Sequence, residues 1–270
     1  FIPENGKFPV IGKSVKSTLA SVPDCQRIVK KAIVEKLKLQ SGKANDWIEE
    51  TGAEYKVEIS LLKDQALITL DSSGTGLHKR GYRVDQGGAP IKETLAAALV
   101  QLTNWTPDRP FVDPFCGSAT IAIEAALIGQ NIAPGFNRDF VSEDWEWIGK
   151  DLWNKARLEV EEKANYDQPL TIFASDIDHR MVQIAKENAE EAGLGDLIQF
   201  KQMQVKDFTT NLEFGVIVGN PPYGERLGEK KAVEQMYKEM GQAFEPLDTW
   251  SVYMLTSNEN FEEAYGRKAT

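Results

Sequence analysis

Histidine and cysteine are almost missing from this 270-residue chain, which has two of each: His78, His179, Cys25 and Cys116. Two cysteines build neither a disulfide framework nor, by themselves, a metal site, and their scarcity fits a reducing cytoplasm. Two histidines give no zinc-ligand cluster and no Ser/His/Asp spacing, so no metal is expected. No run of eighteen apolar residues occurs, which leaves no candidate for a membrane-spanning helix. A signal-peptide pattern is also lacking, and the chain starts at Phe1 in place of Met, as expected of a fragment.

Hydrophobic residues make up 41% and charged residues 27%, the proportions of a globular protein of one large or two smaller domains. The net charge of −10 is unevenly spread. Residues 1–43 carry nine Lys/Arg (Lys7, Lys13, Lys16, Arg27, Lys30, Lys31, Lys36, Lys38, Lys43) against Glu4, Asp24 and Glu35, a net of +6. Residues 89–270 hold 17 basic and 30 acidic side chains, a net of −13. A basic arm on an acidic body would hold a polyanion at the arm, with Lys30, Lys31, Lys36 and Lys38 as phosphate contacts. The plainer alternative is a solvated helix face.

Ser21-Val22-Pro23-Asp24 reads as a helix start, with Ser21 as N-cap, and Ile28, Val29, Ala32, Ile33 and Leu37 follow at helical spacing. Glu54–Leu61 and Gln65–Leu70 alternate like two strands around the turn Lys63-Asp64. Residues 1–72 are thus expected to form a small α+β unit, and the Gly-rich residues 73–88 a linker. From residue 89 strands and helices alternate: helix 91–101, strand 109–115, helix 118–129, strand 170–175, helix 178–192, strands 197–201 and 214–219, helix 229–244, strand 250–255. That order predicts an α/β domain with a mostly parallel sheet covered on both faces. Residues 130–168, rich in Trp, Asp and Glu, interrupt it, and Leu152–Lys163 within them reads as helical.

Four strand tips carry polar signals. The first is Asp113-Pro114-Phe115-Cys116-Gly117-Ser118-Ala119-Thr120, a tight turn entering a helix. It lacks the G-x-G-x-x-G of a dinucleotide site. Asp113 suits an ammonium, such as that of the methionine moiety of S-adenosylmethionine. At the second tip Asp176, followed by Ile177, is placed to accept ribose hydroxyls, while Asp178 reads as the next helix's N-cap. After the third strand, Gln204 can grip an adenine edge, with Asp207 as the alternative. The fourth tip is Asn220-Pro221-Pro222-Tyr223. Its prolines fix φ and remove two N–H donors, leaving carbonyls and the Asn220 amide oxygen to accept from an exocyclic amine. Tyr223 offers a ring for a base, and its hydroxyl has no expected use.

With these tips in order, the chain resembles the class I S-adenosylmethionine-dependent methyltransferases that modify exocyclic amines. More closely it is similar to the bacterial THUMP-domain RNA methyltransferases, including the 23S rRNA guanine-N2 enzymes and relatives labelled "N6-adenine-specific DNA methylase". The carriers are Asp113 to Glu124, Leu77-His-Lys-Arg-Gly-Tyr-Arg83 with Ala89-Pro-Ile-Lys-Glu-Thr94, and Val10 to Leu37 as the end of a THUMP domain. The resemblance implies a Rossmann-like methyltransferase domain over 89–270 that lacks the family's last strand pair, after a partial THUMP domain over 1–72. It implies an incomplete chain at both ends. It also implies S-adenosylmethionine as cofactor, bound by Asp113, Phe115, Cys116, Gly117, Ser118, Asp176, Ile177, Gln204, Asp207 and Asn220. RNA, expected to be 23S rRNA, would be the partner through the basic amino-terminal unit. Ala119 departs from the family's usual Gly, and Gln204 from the Asp that many methyltransferases carry.

Methyl transfer from a sulfonium is an in-line displacement, so the expected work is positioning. Asn220 and the Pro221 carbonyl would accept the amine's two N–H groups as the nitrogen pyramidalises, and Tyr223 would stack on a base taken from its helix. Guanine N2, adenine N6 in DNA or RNA, and a non-catalytic RNA-binding assembly factor remain distinct readings. The four-residue turn does not separate the first two.

Overall fold

The computed structural model describes residues 1–42, 47–84, 90–224 and 230–270. Lys43, residues 85–88 of the expected linker, Ala89 and residue 229 lie outside the described residues. Two compact units are present: Phe1–Leu77 with Arg138–Glu159, and His78–Asn137 with Val160–Thr270.

In the first unit, β1 (Val10–Val15), β2 (Val57–Leu62) and β3 (Gln65–Leu70) form a sheet in that order. β1 runs parallel to β2, and β3 antiparallel to it. Lys63 and Asp64 take φ of 50° and 64°, the left-handed pair that a two-residue hairpin turn requires. α1 (Val22–Ser41) starts at Ser21 with Pro23 in its first turn and ends at Gly42, φ 70°. The Ser21 hydroxyl donates to Asp24 Oδ2 at 2.6 Å in place of capping the backbone.

The buried face of α1 is rotated from the one the apolar spacing suggested. Ile28 is 69% exposed and Ala32 is also exposed, whereas Leu37 is buried and Ile33 and Val34 pack against the unit's core. Lys30 replaces Ile28 on the inner side. Its Nζ lies 3.9 Å from the Phe8 ring centroid, donates to the Phe8 carbonyl at 3.1 Å and pairs with Glu50. A lysine can pack its aliphatic stem on apolar surface while its head stays paired, and Lys30 is half-buried in this way.

Residues of the Trp-rich stretch return to this unit. Trp145 stacks on Tyr55 at 5.0 Å and donates through Nε1 to the Glu54 carbonyl at 2.8 Å. Arg138 donates to the carbonyls of Ser73, Thr75 and Gly76. The helix expected from residue 152 begins two residues earlier, as α4 (Lys150–Lys163).

The second unit contains α2 (Glu93–Gln101), β4 (Phe111–Asp113), α3 (Thr120–Gly129), β5 (Ile172–Asp176), α5 (His179–Glu191), β6 (Ile198–Gln202), β7 (Val216–Gly219), α6 (Lys230–Phe244), β8 (Ser251–Met254) and α7 (Phe261–Tyr265). The sheet order is β6-β5-β4-β7-β8, with every pairing parallel. Because neighbouring strand residues point to opposite faces, Phe111 and Val216 enter one core while Val112 and Ile217 enter the other. The first core takes α3, whose small and aliphatic residues are buried on nearly every side. The second takes Val233, Tyr237, Met240 and Phe244 of α6, an i, i+4, i+7, i+11 stripe. Strand order reverses between β4 and β7, so a crevice is expected beyond their carboxyl ends.

Candidate active site

A cleft of about 580 Å³ occupies that position, within the second unit. The size suits a drug-sized ligand. It is lined from β4 by Pro114, Phe115, Cys116, Gly117 and Ser118, and from β5 by Asp176 and Ile177. β6 adds Gln204, and β7 adds Asn220, Pro221, Pro222 and Tyr223. All four strand tips singled out in the sequence therefore meet at one surface.

The β4 loop is held to β5. Gly117 N donates to Asp176 Oδ2 at 3.0 Å, and Cys116 N donates to the Ser175 carbonyl at 2.9 Å. Asp176 Oδ1 accepts from Asp178 N at 2.9 Å, and Asp178 in turn caps α5 by accepting from Arg180 N. Gly117 has φ 50°, and a Cβ built there would meet only Met181 Cε at 4.0 Å, so the backbone opens directly toward the cleft. Ala119 also takes left-handed φ, 64°, which explains the glycine usual at this position in the resembled family. A left-handed L-residue costs roughly 1–2 kcal/mol.

Two expected site residues do not line the cleft. Asp113 is fully buried beneath the loop, where Oδ1 accepts from Phe115 N at 3.2 Å and Oδ2 has no partner. Burial pushes its carboxyl up to about 8 and the nearby Asp176 charge adds to this, against the Phe115 hydrogen bond. Asp207 sits at the end of a short 3-10 turn, Val205–Asp207, with its backbone N–H on the Gln204 carbonyl at 3.0 Å. Cys116 lines the cleft, and burial, then Asp113 and Asp176, push its thiol up, which disfavours the thiolate. Neither His78 nor His179 lines the cleft.

At the β7 tip Gly219 is closely packed: a Cβ there would lie 2.9 Å from Met254 Sδ and 3.1 Å from Phe115 Cδ2, so those side chains would have to give way. Asn220 follows, half-buried. Its Oδ1 accepts a hydrogen bond from the Tyr223 hydroxyl, a pairing for which the residue pattern alone offers no signal.

The segment before the cleft is turned inward. Arg80 pairs with Glu124 at 3.2 Å, with side chains 8% and 1% exposed, and the Tyr82 hydroxyl donates to Glu124 Oε1 at 2.9 Å. Burial raises the Glu124 carboxyl to about 7, against the pull of Arg80 and Tyr82. Arg83 donates to Thr120 Oγ1 at 2.9 Å and to the Ile91 carbonyl at 3.0 Å. Asn188 joins Val84 N to the Ser118 carbonyl, at 2.8 and 3.0 Å. These groups brace α3 and its loop; they are not a basic surface.

Further walls of the cleft come from Pro90, Ile91, Met181, Met203 and Val205, which look like ordinary apolar positions in the sequence. Tyr237 and Asn258 behind the β7 turn carry no functional signal there either. Among the described residues, no group of three or more His, Cys, Asp or Glu could hold a metal ion, and no helix is long and apolar enough to cross a membrane.

Against known proteins, the RMKL-like methyltransferase domain matches residues 80–270, and the THUMP domain matches residues 1–71. A ribosomal RNA large subunit methyltransferase K/L of Shewanella frigidimarina is 36% identical over 236 residues, 85% of this chain and 33% of that protein. The chain spans about a third of the length of such curated relatives. A Listeria monocytogenes protein described as a predicted N6-adenine-specific DNA methylase is 63% identical, with a TM-score of 0.95 over 100% of this chain and 71% of its own. SMU.472, assigned as a methyltransferase and complexed with S-adenosylhomocysteine (SAH), is 52% identical, with a TM-score of 0.95 over the same shares.

Proposed function

The chain belongs to the RMKL-like methyltransferase family, and on that premise we propose that it transfers a methyl group from S-adenosylmethionine to guanine N2 of 23S ribosomal RNA. The observation that carries the reading is the single cleft shared by the Asn220-Pro-Pro-Tyr turn, the Gly117 loop, Asp176 and Gln204. Residues 1–72 act as a partial THUMP unit that holds RNA and 89–270 as the methyltransferase domain, to which Arg80, Tyr82 and Arg83 of the expected linker 73–88 are bonded. The setting is the cytoplasm.

The donor set fits the cofactor. Asp176 keeps lone pairs beyond its two backbone partners for ribose hydroxyls, and Gln204 both donates and accepts beside the apolar Ile177, Met203 and Val205. The loop at Gly117 admits close backbone approach. Asp113 serves from beneath, by holding the loop through Phe115 N, and Asp207 acts through the turn it ends. When bound, S-adenosylmethionine supplies a methyl group on a positively charged sulfur.

A purine amine is a weak nucleophile because its lone pair is delocalised into the ring. Asn220 Oδ1 and the Pro221 carbonyl accept its N–H groups and favour a pyramidal nitrogen. Pro221 and Pro222 keep the turn stiff and free of competing donors. Tyr223 stacks on the extruded base. No strong base is needed, in keeping with a cleft lined by no histidine.

The test incubates full-length protein with labelled S-adenosylmethionine and 23S rRNA, tRNA or DNA, followed by nucleoside analysis. N2-methylguanosine in 23S rRNA is expected. N6-methyladenosine would overturn the choice of base, and absence of label from every nucleic acid would favour a non-catalytic RNA-binding factor.

A further inference from the structure

Tyr237 is completely buried in α6, yet its hydroxyl donates to the Pro222 carbonyl at 2.7 Å. Burial raises its pKa, and the neighbouring side chains of Thr256 and Asn258 oppose that rise. Asn258 Nδ2 also donates to the Tyr223 carbonyl at 3.3 Å. Asn258 is itself fixed: its N–H donates to Thr256 Oγ1 and its Oδ1 accepts from Asn260 N, each at 3.0 Å. The segment carrying it leaves β8 directly, where Leu255 N donates to the Gly219 carbonyl at 2.9 Å.

The turn after β7 is therefore gripped from behind by two elements, α6 and the β8 exit. A buried hydroxyl seeks a partner, and here it selects one particular carbonyl of a four-residue turn. The carbonyls of Pro222 and Tyr223 are both engaged from the protein side. No hydrogen bond from a described residue reaches the Pro221 carbonyl. Two of the turn's carbonyls are thus held by donors from the protein, while Pro221 and Asn220 line the cleft.

Resting on the amine-methylation reading, we propose that Tyr237 and Asn258 are positioning residues for methyl transfer. They engage the Pro222 and Tyr223 carbonyls and so fix the direction in which Asn220 and Pro221 present their acceptors. Neither touches the reacting atoms. Misplacement of an acceptor by an ångström is enough to slow an oriented reaction by on the order of 10²-fold, so loss of either grip shows in the transfer step and not in cofactor binding.

The test compares Tyr237→Phe and Asn258→Asp with the unmodified full-length protein. Tyr237→Phe keeps the ring, which meets Phe261 edge-on at 4.7 Å, and removes only the hydroxyl. Asn258→Asp keeps the acceptor for Asn260 N and removes the donor. Each variant should transfer methyl groups roughly 10- to 100-fold more slowly in single-turnover assays. SAH affinity by calorimetry and KM for RNA should hold, and the double variant should fall well short of the product of the two losses. Amide hydrogen exchange at Tyr223 and Gly224 should quicken in both, a readout that needs no turnover. Unchanged exchange in the variants, an unchanged transfer rate, or a rate loss matched by an equal loss of SAH affinity would overturn the proposal. A different methylated base in the unmodified protein would overturn the guanine reading while leaving the grip testable on that base.

Discussion

The Tyr223 hydroxyl donates a hydrogen bond to Asn220 Oδ1, the same oxygen assigned to the substrate amine. An amide oxygen carries two lone pairs, so an N–H from the base either shares this acceptor with the phenol O–H or displaces it. The hydroxyl acts as a stand-in donor that keeps the half-buried Asn220 oxygen satisfied when no base is present. On the proposed reading, stacking of the Tyr223 ring on the base takes its hydroxyl away from this oxygen and leaves it to the amine.

Tyr223→Phe should consequently keep stacking and lose only the competitor. Removing one neutral hydrogen bond changes a free energy by about 0.5–1.5 kcal/mol, so the apparent KM for RNA should fall about 2- to 10-fold. Tyr223→Ala should raise it instead, through the roughly 1–3 kcal/mol of lost base stacking. Steady-state titrations with RNA separate the two; equal damage in both variants would mean the hydroxyl serves the bound state.

Asp176 ties Gly117 N and Asp178 N and is assigned the ribose. Loss of a charge-assisted hydrogen bond costs roughly 1.5–3 kcal/mol, so Asp176→Ala should weaken S-adenosylmethionine binding about tenfold or more. Calorimetry measures this directly, and wild-type affinity would remove Asp176 from the site.

The four strand tips are legible in the sequence because each is a short polar string at the end of an apolar run, readable without long-range information. Direction and depth are not. Asp113 and Asp176 look alike as strand-ending acids, but one is covered by its own loop and the other lines the cleft. Lys30 and Ile28 exchange expected places because the Phe8 ring and Glu50, 22 and 20 residues away, offer a cation a better partner than water. Tyr237 looks like one more apolar residue on an amphipathic helix, and only its hydroxyl, otherwise unaccounted for, hints at more.

Burial makes Asp113 a proton-linked contributor to stability. Its folded carboxyl, raised to about 8, keeps a proton that the unfolded chain releases near 3.8. The contribution is full below about 4 and is lost as pH rises through about 8. Asp113→Asn preserves the acceptor for Phe115 N and never ionises. Relative to wild type, its Tm should climb steadily between pH 4 and pH 8. Glu124 titrates in the same window but is common to both proteins, so the difference isolates Asp113. A constant difference in Tm across that range would contradict the assignment.

On α1, Lys36 is exposed and Lys38 partly so, Lys31 is exposed in a surface pair with Glu35 at 3.7 Å, and Lys30 is half-buried and paired with Glu50. Burial would raise the Glu50 carboxyl, but hydrogen bonds from Lys30 and Phe8 N, with the Lys30 charge, hold it below its usual value. Reversing Lys31, Lys36 and Lys38 should weaken RNA binding and flatten its salt dependence, by a slope of about 0.7–0.9 for each phosphate no longer neutralised. Lys30→Met should lower Tm and leave the slope alone. An unchanged slope in the triple variant would make this helix face merely solvated.

The most direct measurement is single-turnover methyl transfer by Asn220→Ala with saturating RNA and S-adenosylmethionine. Loss of a hydrogen bond made only as the amine pyramidalises should slow the step roughly 10²–10³-fold, with both binding affinities near wild type. Transfer at the wild-type rate would contradict amine activation by Asn220, since the Pro221 carbonyl is the only other acceptor assigned to the amine at this turn.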